Sequence, residues 1–126
     1  MSLRAITEIT KLMQAYFDGL YAADSAQLRE VFHPGLAYVC ATEGDELYLD
    51  LDTYMARVDT RQPPAARAEI RHDEVLNISV TGQRLAHVQA RMTMMGRTYH
   101  DELTLIRQRD SWRIVTKVFS YIPNEV

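Results

Sequence analysis

The chain has a single cysteine, Cys40, which excludes an internal disulfide and argues against a thiolate zinc site. Its five glycines stand singly, so no glycine-rich loop is available to cradle a phosphate, and no nucleotide cofactor is implied. Positive charge is not in surplus. The net charge is −3 and the pI about 5.8, with arginines scattered along the chain, which offers no electrostatic footprint for nucleic acid. No apolar run approaches the roughly 20 residues of a membrane span. Met1-Ser2-Leu3-Arg4 leads straight into a helical pattern carrying Glu8 and Lys11, which does not read as a secretory signal. The expected location is therefore the cytoplasm. No repeat, low-complexity tract or linker divides the 126 residues, and residues 1–126 read as one domain.

What is present is an ordinary globular composition, 47% hydrophobic and 25% charged. Ile6, Ile9, Met13, Tyr16, Phe17 and Leu20 recur at helical spacing and predict an amphipathic helix over about residues 5–22. Asp24 with Gln27 reads as a capping box opening a short second helix with Leu28, Val31 and Phe32 buried. His33-Pro34-Gly35 ends it. Leu36 to Ala41 suits a strand, Thr42 to Asp45 a turn, and Leu47-Tyr48-Leu49 a second short strand. Asp50 can cap a third helix running to about Val58.

Beyond Ala66 the period changes from helical to alternating. Ala68, Ile70, His72, Ile78 and Val80 share a parity, as do Ala86, Val88, Ala90, Met92 and Met94. Tyr99, Asp101, Leu103 and Leu105 form a third such set. Turns fall at Thr81-Gly82-Gln83, Met95-Gly96 and Asp110-Ser111, and a last strand runs from Trp112 to Phe119. Three helices followed by long hairpin-connected strands predict an α+β fold, with the helices packed on a strongly curved antiparallel sheet that encloses a pocket.

Asp101 shares its parity with buried leucines, so it either enters the pocket wall or reaches solvent at a strand end. His72 follows Ile70 and Ala68 inward unless a bulge near Asp73-Glu74 turns it. His33 is placed to cap the last carbonyls of a helix, and His87 and His100 fall on the outward parity. Four histidines without close-spaced partners do not make a metal site. Tyr16 lies on the buried helix face, and Tyr38 and Tyr54 near the pocket mouth. Met92 and Met94 suit an adaptable apolar wall, and Cys40, with no cationic neighbour in sequence, reads as inert and buried.

Tyr16-Phe17-Asp18-Gly19-Leu20 with Asp24, Leu28 and Val31-Phe32-His33-Pro34 resembles the first two helices of NTF2-like proteins. Tyr99 to Leu105 and Trp112 to Phe119 resemble the last two strands of that cone-shaped fold. The nearest branch is the one called "putative lumazine-binding", beside the SnoaL-like group. The resemblance implies the fold across nearly the whole chain and leaves function open, because this fold hosts isomerases, cyclases, dehydratases and binding modules. Compared with the related ketosteroid isomerases, Tyr16 falls at the tyrosine and Asp101 at the strand aspartic acid of an oxyanion hole, while the base position falls on or near Cys40. That departure removes the carboxylate that would shuttle the proton and argues against steroid isomerisation itself. The comparison also points Lys117 toward Asp101, where the two either pair or remain free.

The expected function is binding of a small molecule in a largely apolar pocket lined by Tyr38, Cys40, Tyr54, His72, Met92, Met94, Tyr99 and Lys117. A homodimer is expected through the outer sheet face carrying Leu85, Met95, Ile106 and Val115. The alternative is a cofactor-independent lyase or isomerase of a small aromatic or carbonyl compound, with Asp101 as acid or base and Tyr16 polarising the carbonyl.

Overall fold

The computed structural model describes residues 3–124. Helix α1 (Leu3–Ala22) buries Ile9, Met13, Tyr16, Phe17 and Leu20 along one stripe, as their spacing requires. Asp24 then caps α2 (Ser25–Val31) by accepting from the Gln27 backbone N–H at 3.1 Å. The reciprocal half of the capping box does not form, because the Gln27 side chain donates to the Ala15 carbonyl instead and ties α2 to α1. Close packing of the two helices depends on Gly19, where an added Cβ would meet Leu28 Cδ2 at 2.8 Å.

Strand β1 (Phe32–Cys40) starts earlier than the sequence suggests and runs through Pro34 with a register shift between Phe32 and Ala37. His33 does not cap the helix: its Nδ1 accepts from the Gly35 N–H at 2.8 Å. The helix is closed by the Phe32 N–H donating to the Leu28 carbonyl. Strand β2 (Leu47–Leu49) and helix α3 (Leu51–Thr60) follow, with Asp50 capping α3 through the Thr53 N–H. A 3-10 turn (Pro64–Arg67) leads to the long strands β3 (His72–Thr81), β4 (Leu85–Met94), β5 (Arg97–Gln108) and β6 (Ser111–Pro123).

The six strands form one open sheet in the order β2-β1-β6-β5-β4-β3, with the three helices on one face. The fold is α+β, as expected, but the sheet is mixed. β1 runs parallel to β6, and every other pair is antiparallel. Two tight hairpins close on residues with positive φ at both central positions, Met95-Gly96 (54° and 73°) and Arg109-Asp110 (51° and 67°). That is the geometry whose twist matches paired strands.

Two bulges set which side chains face the helices. In β3 the register shifts between Val75 and Asn77, so the inward set changes from Asp73 and Val75 to Ile78 and Val80. In β6, Leu105 pairs Ile114 while Thr104 pairs Thr116, which leaves Val115 as the extra residue. Trp112 and Ile114 are buried before it, Lys117 and Phe119 after it. The bulge therefore turns Lys117 into the interior.

Candidate functional site

The curved sheet and α3 leave a partly open cavity of about 140 Å³. A dry cavity of about that volume accepts a benzene-sized ring. Rings of Tyr38, Tyr54, Tyr99 and Phe119 and the side chains of Met92 and Met94 line its interior. Tyr38 lies 4.0 Å from Tyr54 and 5.0 Å from Phe119 between ring centroids, so the aromatic wall is continuous. Cys40 is buried in the same wall as a free thiol.

The wall is also charged. Four cationic side chains, Arg57, Arg61, Arg97 and Lys117, face two acidic ones, Asp45 and Asp101. The apolar character expected from the sequence thus holds for the aromatic interior and not for the rim. Asp45 is engaged by the Tyr121 hydroxyl at 2.5 Å, and Arg97 stacks 4.1 Å over the Tyr121 ring.

Asp101 is only 1% exposed. Alternation along β5 puts it inward with Leu103 and Leu105, opposite Ala90 of β4 and Phe119 of β6. Its Oδ2 accepts from the Tyr16 hydroxyl at 2.5 Å, while Oδ1 is buried without a hydrogen-bond partner. Such an oxygen costs about 1–3 kcal/mol in desolvation unless something in the cavity reaches it. Burial and the adjacent Asp101 charge hold the Tyr16 hydroxyl well above the ordinary phenol range, so it remains a donor. Tyr16 does not itself reach the cavity. It stands behind Asp101 and fixes that carboxyl from α1.

Lys117 is buried, and its Nζ donates to the Tyr54 hydroxyl at 3.3 Å. Rings surround the ammonium: Tyr16 at 5.0 Å, Phe119 at 5.2 Å, Tyr54 at 5.4 Å and Tyr38 at 5.6 Å from their centroids. Among the described residues it has no carboxylate within the 4.0 Å of an ion pair. Burial pushes the Tyr38 hydroxyl up to about 12, with Lys117 pulling partly the other way. Burial likewise raises Tyr54, against the pull of Arg61.

The cavity thus gathers Asp101, Tyr38, Cys40, Tyr54, Met92, Met94, Tyr99 and Lys117. His72 is corrected: it is exposed at the start of β3, because the Leu76 bulge separates its parity from that of Ile78 and Val80. Ile70, its expected companion, is 77% exposed. Met95, expected on the outer face, sits in the β4–β5 turn and borders the cavity. Arg57, Arg61 and Arg97 were not anticipated. Arg57 follows Tyr54 by three positions, a helical spacing that puts both on one side of α3, while Arg61 is the extended residue that closes the helix. Among the described residues no cluster of three or more His, Cys, Asp or Glu side chains could hold a metal ion, and no helix is long and apolar enough to cross a membrane.

The family model described as "Putative lumazine-binding" matches residues 4–120, and the chain belongs to that family. No curated protein sequence matches it. Among solved structures, an NTF2-like protein of unknown function from Silicibacter pomeroyi DSS-3 is 26% identical, with a TM-score of 0.83 over 97% of this chain and 100% of that one. An NTF2-like protein of unknown function from Shewanella baltica OS155 is 16% identical, with a TM-score of 0.86 over 98% of both chains. A ketosteroid isomerase-like protein from Erwinia carotovora atroseptica SCRI1043 is 12% identical, with a TM-score of 0.72 over 96% of this chain and 98% of that one. The NTF2-like fold is thereby shown.

Proposed function

We propose, from membership of a family whose description names a small-molecule ligand, that this chain binds a compact ring-containing molecule in the cavity beside Asp101. The observation that carries the reading is the unpartnered Oδ1 of a buried carboxyl in the wall of a ring-sized cavity. A ligand group that bonds this oxygen recovers its desolvation cost, and the aromatic walls bury the ring. Tyr16 is a positioning residue, and Tyr38, Tyr54, Met92, Met94, Tyr99 and Phe119 form the contact surface.

The test is a thermal-shift screen against lumazine, flavins, pterins, steroids and aromatic acids, repeated with Asp101→Asn. A ligand that binds only the folded state stabilises it by about 2.7 kcal/mol at 100 times Kd. The expected result is at least one hit that the substitution weakens. A screen with no hit sinks the reading.

A second reading is catalysis. The Tyr16–Asp101 pair at 2.5 Å supports a cofactor-independent isomerase or lyase, in which Asp101 moves a proton on a carbonyl substrate. Lys117 and the Tyr54 hydroxyl would then stabilise the developing oxyanion. Any discovered substrate must lose turnover in Asp101→Asn, or Asp101 is not the acid or base. We also propose a cytoplasmic homodimer through the convex sheet face, where Leu85 and Val118 are 45% and 37% exposed. A monomeric mass at micromolar concentration by light scattering removes the dimer.

A further inference from the structure

The Tyr54 hydroxyl has an unusual set of neighbours. Lys117 Nζ donates to it at 3.3 Å. The Arg61 guanidinium lies 5.9 Å from the same ring's centroid, and its charge acts on the hydroxyl. An ammonium and a guanidinium are donors only and accept nothing. The proton of the Tyr54 hydroxyl therefore has no acceptor in either neighbour, and the described hydrogen bonds give it none elsewhere. Two cations and one phenol proton thus meet around Tyr54 in the wall of the cavity.

Alternative explanations account for only part of this arrangement. Arg57 and Arg61 lie at the C-terminal end of α3, where a cation gains about 0.3–1 kcal/mol from the helix dipole. That does not explain Lys117, which comes from β6 and is 5% exposed. The surrounding rings offset part of the cost of burying an ammonium, and among the described residues no carboxylate lies within ion-pair distance of it. Asp101 lines the same cavity and does not pair with it. In a chain of net charge −3, the cavity wall thus carries four cations against two carboxylates.

We infer that Tyr54, Lys117 and Arg61 form an anion site, and that the cavity takes a compact aromatic acid whose carboxylate they bind. The inference rests on the binding reading above and adds the ligand's charge. The ring lies among Tyr38, Tyr99 and Phe119, and a hydroxyl or carbonyl elsewhere on the ring meets Asp101. Arg61 supplies the forked donor geometry that suits a carboxylate, while the Lys117 ammonium and the Tyr54 proton complete its coordination.

The experiment uses benzoate, salicylate and 4-hydroxybenzoate, each beside its uncharged methyl ester, titrated to 10 mM at neutral pH and read by calorimetry and NMR. At least one acid is expected to bind at least tenfold tighter than its ester. Lys117→Met should weaken that acid at least tenfold and leave its ester within about twofold. Tyr54→Phe keeps the ring, removes the proton, and should weaken the acid without touching the ester; it serves if Lys117→Met fails to fold. Equal binding of acid and ester, or tighter binding of the ester, overturns the anion site and leaves the cavity a binding site. Binding of an acid that neither variant weakens overturns the assignment to these residues. If none of the six compounds binds, the inference falls, and the wider screen alone decides whether the cavity binds anything.

Discussion

Asp101 and Lys117 lie diagonally across neighbouring strands, Asp101 opposite Phe119 and Lys117 opposite Leu103, yet they form no ion pair. Each is committed to a different tyrosine, Asp101 to Tyr16 and Lys117 to Tyr54. The charges are held apart in one cavity rather than neutralised, and that separation is the basis of the tests that follow.

Tyr16→Phe leaves both Asp101 oxygens without a donor and should cost about 1–3 kcal/mol of stability. Asp101→Asn keeps an acceptor for the Tyr16 hydroxyl and should cost less. Urea denaturation of the two single variants and the double variant should give a coupling energy of about 1–2 kcal/mol. Additive effects would mean that the 2.5 Å contact is no stronger to the carboxyl of Asp101 than to an amide in its place.

Lys117→Met replaces a buried ammonium that forms no ion pair with an apolar chain of similar length. Removing the desolvation penalty should offset the lost ring contacts, so the unliganded variant should be no less stable than the parent. A thermal midpoint lowered by several degrees would show that the aromatic cage alone makes the ammonium a net stabiliser.

Alkaline pH should weaken the fold through its buried phenols. Burial places Tyr38 at about 12, and burial together with the Asp101 charge holds Tyr16 well above the ordinary phenol range, against about 10 in the unfolded chain. A phenol raised on folding contributes stability fully present below about pH 10 and lost as pH rises toward its folded value. The urea midpoint should therefore fall between about pH 10 and 12, less steeply in Tyr38→Phe. An identical slope in that variant would remove Tyr38 from the account.

Gly19→Ala tests the packing of α1 on α2. Alanine gains about 1 kcal/mol in helix propensity, but its Cβ would lie 2.8 Å from Leu28 Cδ2, and Leu28 is fully buried. Forcing that side chain aside costs about 1–3 kcal/mol, so the net effect should be destabilising. A stabilised variant would show that Leu28 repacks freely.

Much of this was legible in the sequence where one period governed a whole element. The stripe of α1 was readable from Ile9 to Leu20, as was the alternation of β4 and the inward placement of Asp101. Misreadings cluster at bulges. One extra residue exchanges the two faces of a strand, so Leu76 undid the placement of His72, and Val115 left the face of Lys117 undecidable. Residues with apolar neighbours on both sides carry no alternation to read, as between Trp112 and Phe119. The parallel pairing of β1 with β6 was invisible for another reason: it joins residues as distant in sequence as Phe32 and Ile114, with four other strands between them along the chain.

That same pairing sets an order of assembly during synthesis. β6, the last described strand to leave the ribosome, lies between β1 and β5. The meander β3–β4–β5 needs only its own hairpins and can form early. Until β6 emerges, the β1–β2 pair has no link to the meander, and Tyr54 has no Lys117. The two parts of the sheet stay separate until β6 inserts between them, so the cavity, which draws on both, closes only after that step.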